Sequence, residues 1–537
     1  MKTLLPILAI GLFMFALTPS ALSAGGLYGN AYVKSTATGL GDGSSWTDAY
    51  TSLQEAIDKA IPGDVICVAQ GTYLPTHILG DDTLRNRTFY INKSIVLYGG
   101  FIGDPGTEGS FEERNPGLYV TTLSGDVGVA GVVTDNAFHV VYFDHVSDST
   151  HLDGFVIADG NSLDGGGFNS TGTGIFNNAT AGRSHPLIAN CIIRNNIASE
   201  SGGGMLNYAG EGGHANPRLT NCSFIQNEGS GGGAFSNYTD TDGEAKPVFI
   251  NCIFKGNTAR TAGGGVMNVI AHSAISGPIM INCVMTGNHS PFNTAIQGIA
   301  SGNGAASPEL INCTMSGNSG GAIRVADLGE QKSVIKIRNS IIYGNAGGAG
   351  ITSTGALIDA AYSVIPFGFP GENILGLDPG FVSQPPLDSA NLEGDVHLQE
   401  GSLAIDAGRN EDVPSTIQTD LDRKPRFINH ANGDPGIVDI GAFEFQHIPT
   451  SVDRFLSHVD WQVNPNPAND MLTISIPDDL TAGQLRLLDA HGKMVSKINL
   501  QSGSKGQTLD VSTLPAGIYF VCLYVNGMSD VRKIMIQ

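Results

Sequence analysis

A short block that returns at a nearly fixed interval limits the fold of this chain more than any other feature. Pro186-Leu-Ile-Ala-Asn190-Cys191 comes back as Pro217-Arg-Leu-Thr-Asn221-Cys222, Pro247-Val-Phe-Ile-Asn251-Cys252, Pro278-Ile-Met-Ile-Asn282-Cys283 and Pro308-Glu-Leu-Ile-Asn312-Cys313. A sixth copy, Ile337-Arg338-Asn339-Ser340, puts serine in place of cysteine. From Asn190 to Asn339 the asparagines step by 31, 30, 31, 30 and 27 residues. Six residues beyond each stands a second asparagine: Asn196, Asn227, Asn257, Asn288, Asn318 and Asn345. Glycine triplets at 165–167, 202–204, 231–233 and 263–265 lie between the blocks. Repeats of this length are units that cannot bury an apolar face alone and must stack on their neighbours.

The pattern inside a block is strand-like. Phe249, Asn251 and Ile253 alternate with Ile250, Cys252 and Phe254, with β-branched and aromatic residues and no helical period. The glycines argue against a helical repeat, and about forty residues are needed for a four-stranded propeller blade. One coil of a right-handed parallel β-helix, with two or three short strands and tight corners, fits the interval. Equivalent side chains would then stack about 4.8 Å apart. Asn190, Asn221, Asn251, Asn282 and Asn312 are expected to form an amide ladder at a corner. Cys191, Cys222, Cys252, Cys283 and Cys313 are expected to stack as free, buried thiols, because in-register neighbours have poor disulfide geometry and no histidine recurs beside them. The glycines supply positive φ or let backbones approach closely.

The ends of such a helix need covers. Leu53, Ala56, Ile57 and Ala60 form an apolar stripe behind a Ser52/Glu55 capping box, which predicts a helix plugging the N-terminal end. Val65 to Val68 reads as the first strand. Between Asp420 and Glu444 a closing segment is expected, in which Arg423 and Arg426 pair with nearby acids; a carboxylate metal site is the alternative reading. Residues 447–459 lose the repeat and read as a linker. Residues 460–537 read as a compact antiparallel β-sandwich, with strands over 471–476, 484–488, 509–511, 518–524 and 531–536. At the other terminus, Lys2, the apolar run Leu4–Leu17 and the small residues ending in Ala24 predict a signal peptide over 1–24. The β-helix thus spans 25–446, and no later segment is apolar enough to span a membrane.

With 28 basic and 50 acidic residues, the chain carries a net charge of −22. That field repels nucleic acid and anionic membranes and favours neutral or cationic partners. Asp240, Asp242 and Glu244 alternate around a glycine and form a candidate Ca²⁺ site, without the spacing of an EF-hand. His139, His145 and His151 recur every six residues and read as structural. Lys255, Arg260, Arg324, Lys332, Lys336 and Arg338 are the central bases, and none belongs to a recognisable catalytic motif.

Three stretches resemble known families. Asn464-Pro465-Asn466-Pro467, Leu514-Pro515-Ala516-Gly517-Ile518-Tyr519 and the end Lys533 to Gln537 resemble the type IX secretion sorting domain of Bacteroidetes. That resemblance implies an encounter with the type IX secretion machinery through residues 460–537 and export through the outer membrane. Gly41 to Trp46, Gly63-Asp64 and Gly71-Thr72-Tyr73 look like the start of surface β-helix proteins of the polymorphic outer-membrane-protein-like and pectin-lyase-like groups. Asp439-Ile-Gly-Ala-Phe-Glu444 is similar to the "choice-of-anchor Q" domain. The Asn-Thr-Asp, Asp-Asp and Gly-His-Gly series of polygalacturonases is absent, and Asp81-Asp82 has no companion. The expectation is a secreted or surface rod that binds glycans or other surface molecules. The alternative is a polysaccharide lyase on acidic polymers, with a basic side chain as proton abstractor.

Overall fold

The computed structural model describes residues 30–446 and 461–537, apart from 109–110, 112–113, 262, 292–293, 348–349, 388–389, 429–435, 477–482, 490–492, 502–505 and 526–527. The expected signal peptide and linker lie outside the described residues. The chain divides into two compact units, 1–446 and 447–537.

The first unit is a parallel β-helix. One coil can be followed from Met205 to Ile225. Met205–Ala209 joins a ten-stranded sheet (parallel except for its end strand His77–Ile78), His214–Ala215 a five-stranded one, and Arg218–Thr220 with Ser223–Ile225 a larger sheet that bends at Asn221. The register is that of the repeat: Leu219 pairs with Phe249, Phe249 with Met280, and Met280 with Leu310. Those residues face inward and are fully buried, as are Phe224 and Phe254, whose rings stack at 5.0 Å. Each such side chain removed from water contributes about 1.5–3 kcal/mol, and only the coils above and below can bury it.

Two corners explain most of the repeat. Asn190, Asn221, Asn251, Asn282, Asn312 and Asn339 sit in the left-handed region, with φ between 48° and 54°, where asparagine is the least strained residue after glycine. Asn221, Asn251 and Asn282 each donate through Nδ2 to the Oδ1 of the preceding asparagine at 3.0–3.2 Å. Asn312 departs from the series: neither of its amide atoms has a partner among the described residues. The second asparagine of each copy is buried and better satisfied. Asn257 accepts at Oδ1 from the Asn227 backbone N–H and Nδ2 (3.0 and 3.1 Å), and donates to the Phe224 carbonyl and Asn288 Oδ1 (2.9 and 3.0 Å). The residue before it turns the corner at positive φ, as Gly256, Gly287 and Gly317 do. In the triplets, a Cβ on Gly233 would lie 2.4 Å from the Thr258 carbonyl oxygen, so side chains are excluded there by close backbone packing.

The cysteines adjoin the first corner, in adjacent turns. Each thiol donates to the carbonyl two residues earlier, Cys222 to Thr220 at 3.4 Å and Cys252 to Ile250 at 3.4 Å. Ser340 makes the same bond to Arg338 at 2.7 Å, which accounts for the serine in the sixth copy. A thiol satisfies that carbonyl while costing the core little polarity. Burial raises the Cys191 thiol well above its ordinary pKa. All seven cysteines are buried and free. A disulfide reagent should therefore leave the native chain unlabelled and modify seven thiols after denaturation, measured by absorbance of the released thiolate.

At the N-terminal end the helix Leu53–Lys59 is capped by Ser52, which accepts from the Glu55 N–H, and it buries Leu53, Ala56 and Ile57. The first strand is not Val65–Ala69. Ala31–Val33 precedes it and pairs with it in parallel; three residues without a repeat partner carry too little pattern to read. The closing segment and the stretch before it do more than close the end, because Val413 and Ile417, with Val438, pack against Ile250, Ile281 and Ile311 of the large sheet. Arg426 is buried beside Glu444, as expected of it. Arg423 instead sits in a tight turn at φ 65° without an ion pair among the described residues, and Lys424 takes Asp422 at 2.9 Å.

The second unit is a two-sheet sandwich. Gln462–Asn464, Met471–Ser475 and Gly506–Asp510 form one sheet. Gly483–Asp489, Met494–Leu500, Gly517–Val525 and Met528–Ile536 form the other. Trp461, Leu472, Leu487, Val521 and Ile534 fill its core. The strand Met494–Leu500 is one the sequence reading missed, since only its last residue is buried and its polarity resembles a loop.

Candidate functional site

The three carboxylates read as a Ca²⁺ site do not converge. Side chains alternate across a strand and a turn separates the last of them, so each acid meets a different environment. Asp240 ends a strand of the ten-stranded sheet, where it accepts from the Tyr208 hydroxyl at 2.9 Å and the Glu211 N–H at 3.3 Å. Asp242 is exposed in a left-handed turn. Glu244 begins a strand of the five-stranded sheet and pairs with Lys246 at 2.7 Å. Among the described residues no three His, Cys, Asp or Glu side chains are grouped to hold a metal ion.

The other singled-out residues are dispersed too. His139 is buried against the Gly172 carbonyl, and burial lowers it to about 4, so it stays neutral. His145 lies between Asp144 and the Thr180 carbonyl. His151 pairs in strand register with Val96 and Leu187. Of the central bases, Arg260 pairs with Glu228, Lys336 with Glu309 and Arg338 with Asp359.

What the coils do bring together is a line of rings on the outer face of the ten-stranded sheet. Outward positions there stack as Tyr90, Tyr142, Phe176 and Leu206, and in the neighbouring column as Asp144, Asn178, Tyr208 and Tyr238. His77 stacks on Tyr90 at 4.5 Å with planes 10° apart, and Tyr142 on Phe176 at 4.9 Å with planes 7° apart. Phe168, 60% exposed, bridges from Phe176 to Tyr208 at 5.9 and 5.4 Å. Tyr238 and His272 continue the line at 5.7 Å each. From the coil of Tyr90 to that of His272 are five strand steps, about 24 Å at about 4.8 Å each.

Acids hold the hydroxyl ends. Tyr90 donates to Asp144 at 2.5 Å as Tyr208 does to Asp240. Burial, then the hydrogen bond to Asp144, pushes Tyr90 up to about 12, so its hydroxyl remains a donor. Phe168 belongs to a short 3₁₀ turn, Gly167–Ser170, in the loop before the strand Ile175–Asn178. Arg85 ties that loop down through Asp164, the Asn161 carbonyl and the Asn136 carbonyl. Below Phe168 opens a cleft of about 480 Å³ lined by Glu200, Leu206, Tyr208, Tyr238, Asp240 and Ile270. Of the residues named from sequence, only Asp240 lies here. The rings carried a weak signal: the steps from Tyr90 to Tyr142 to Phe176 are 52 and 34 residues, because loops of unequal length interrupt the early coils.

Residues 462–537 match the family model of the secretion system C-terminal sorting domain. The second unit is a sorting domain. Its presence makes the chain a secreted or cell-surface β-helix protein that engages secretion machinery, and no helix among the described residues is long and apolar enough to cross a membrane. No curated protein matches the sequence. Among solved structures, pectate lyase Pel9A is 15% identical, with a TM-score of 0.37 over 78% of this chain and 96% of that one. Full-length tailspike protein 2 (TSP2, ORF211) from Escherichia coli O157:H7 bacteriophage CAB120 is 10% identical, with a TM-score of 0.23 over 90% of this chain and 65% of that one.

Proposed function

We propose that the β-helix, carried out of the cell by its sorting domain, binds a glycan chain laid lengthwise along the aromatic line of the ten-stranded sheet. The observation that carries this reading is the unbroken series of rings from His77 to His272 on one face. The electron-rich face of an aromatic ring attracts polarised C–H groups, which sugar rings present on their apolar sides. Successive coils repeat that surface at a spacing comparable to one hexose unit. Amide and carboxylate groups at the edges (Asn178, Asp144 and Asp240) supply the few oriented polar contacts that ligand sites use.

The test is affinity electrophoresis of the full chain in gels containing neutral, amino-bearing and acidic polysaccharides. At least one polymer should retard it. Tyr238→Ala should weaken that retardation by about tenfold, the equivalent of about 1.4 kcal/mol, without changing the melting temperature by more than a degree or two. Equal retardation of Tyr238→Ala, or none by any polymer, refutes the reading. A rise in ultraviolet absorbance on any polymer would replace holding by eliminative cleavage as the role.

A further inference from the structure

Every cleft offers shape, but the one beneath Phe168 also has a sign. Three rings border it. Phe168 and Tyr208 meet edge to face, at 5.4 Å with planes 62° apart, and Tyr208 and Tyr238 lie 5.7 Å apart and tilted by 37°. Tyr208 is nearly buried, so the hydroxyl it directs at Asp240 is fixed in place. Two carboxylates, Glu200 and Asp240, stand in the lining with them, and among the described residues no lysine or arginine does.

The charges are not cancelled from nearby. Both donors to Asp240, the Tyr208 hydroxyl and the Glu211 N–H, are neutral, so neither offsets its negative charge. Arg260, which reaches the carbonyls of Ala198 and Ser199 next to Glu200, spends its charge on Glu228 at 2.8 Å. Lys246 is held by Glu244 on the five-stranded sheet. His272 borders Tyr238 but bonds through Nδ1 to Ser301.

Rings around a cleft with carboxylates on its wall form the surroundings that recognise an ammonium group. The ring faces attract the cation, and that attraction grows as water is excluded. A uronate carboxylate in the same place would meet two like charges at short range. Resting on the glycan-binding reading above, we infer that this cleft selects a protonated amine on the bound chain, so that the ligand is a glycan containing free hexosamine. The half-exposed rings of the rest of the line, His77, Tyr90 and Tyr142, stack sugar rings without regard to charge, and the cleft at its end decides between glycans.

Isothermal titration of the full chain with glucosamine oligomers, N-acetylglucosamine oligomers of equal length and oligogalacturonate tests this at pH 5.5 and low salt. At that pH the amines are protonated and exposed carboxylates are ionised. The glucosamine oligomer should bind at least tenfold more tightly than its acetylated form, and oligogalacturonate most weakly. Replacing both carboxylates, Glu200→Gln with Asp240→Asn, should abolish the preference, whereas Asp81→Asn, on an exposed loop elsewhere, should leave it intact. Equal binding of the two hexosamine oligomers overturns the inference. So does an equal loss in Asp81→Asn, which would trace the preference to the net charge of the whole protein. If both oligomers bind, are lost in Tyr238→Ala and ignore the carboxylate changes, the amine selection falls and the aromatic line stands. If no oligomer binds the parent chain, both fall.

Discussion

Replacing Asn257 with leucine should destabilise the β-helix by about 3 kcal/mol, the cost of leaving two buried polar groups unmade at about 1–3 kcal/mol each. Leucine matches the volume but not the bonds. The Asn227 backbone N–H and the Phe224 carbonyl, both of the preceding coil and both served by the Asn257 amide, lose their partners inside a fully buried ladder. A buried amide chain of this kind is worth more intact than in parts. The comparison that isolates the effect is Asn251→Gly. Asn251 lies at a corner with φ 54° and is only partly buried, and glycine keeps that conformation, so its loss should stay near 1 kcal/mol. Denaturant unfolding of the two variants should separate them by more than twofold in stability lost. Equal losses would mean that the second asparagine is a corner residue like the first, and that the ladder adds nothing.

The difference between the two series bears on what could be read from the sequence. Both recur at the same interval, so the repeat announces two ladders, but periodicity alone cannot say which is buried. The structure decides through the corner residue. The first asparagine takes the left-handed turn itself, whereas at the second the preceding residue turns (Asn195, Gln226, and then glycine from Gly256 onward) and frees the asparagine to point inward. A third buried ladder, Asn177, Asn207 and Asn237, linked Nδ2 to Oδ1 at 2.7 Å, was written at intervals of 30 and 30 residues. It escaped notice because it ends after three coils, where Val269 takes the place in register.

The parts that stayed unreadable share a physical cause. Repetition makes vertical neighbours predictable only where coils have equal length. Tyr90, Tyr142 and Phe176 are vertical neighbours too, yet the loops between them differ in length, so their alignment emerges only from strand pairing. The same applies to Val413, Ile417 and Val438, which pack on three isoleucines more than a hundred residues away in sequence. Asp240 was singled out for its acidic neighbours in sequence, whereas its partner in space is Tyr208, one coil below. In a β-helix, neighbours along the chain are mostly not neighbours in the site.

Arg426→Met should cost the closing segment about 3–5 kcal/mol at pH 8, because removing the buried cation strands the Asp439 carboxylate, which is ionised at that pH. Arg426 and Glu444 are both fully buried with Nε and Oε2 3.8 Å apart, and the guanidinium also donates to the Gly441 carbonyl. Asp439 and Asp420 influence the same guanidinium, so three carboxylates share one cation. Some of that negative charge must be neutralised by protons. Burial, and next the Asp439 charge, pushes Glu444 up to about 9, and burial raises Asp439 to about 6. Both acids therefore hold protons more tightly folded than unfolded. Their contribution to stability is complete below the ordinary carboxylate range near pH 4, and it is lost as pH climbs through about 6 and then about 9. The parent chain should accordingly melt at lower temperature at pH 9 than at pH 5, and Glu444→Gln should flatten the upper part of that slope. The arginine variant should suffer less at pH 5, where protons take over the neutralising role, and Glu444→Gln should rescue part of its loss at pH 8. A deficit of the same size at both pH values would show that Arg426 acts by filling space between the closing segment and the coils, and that its charge is incidental.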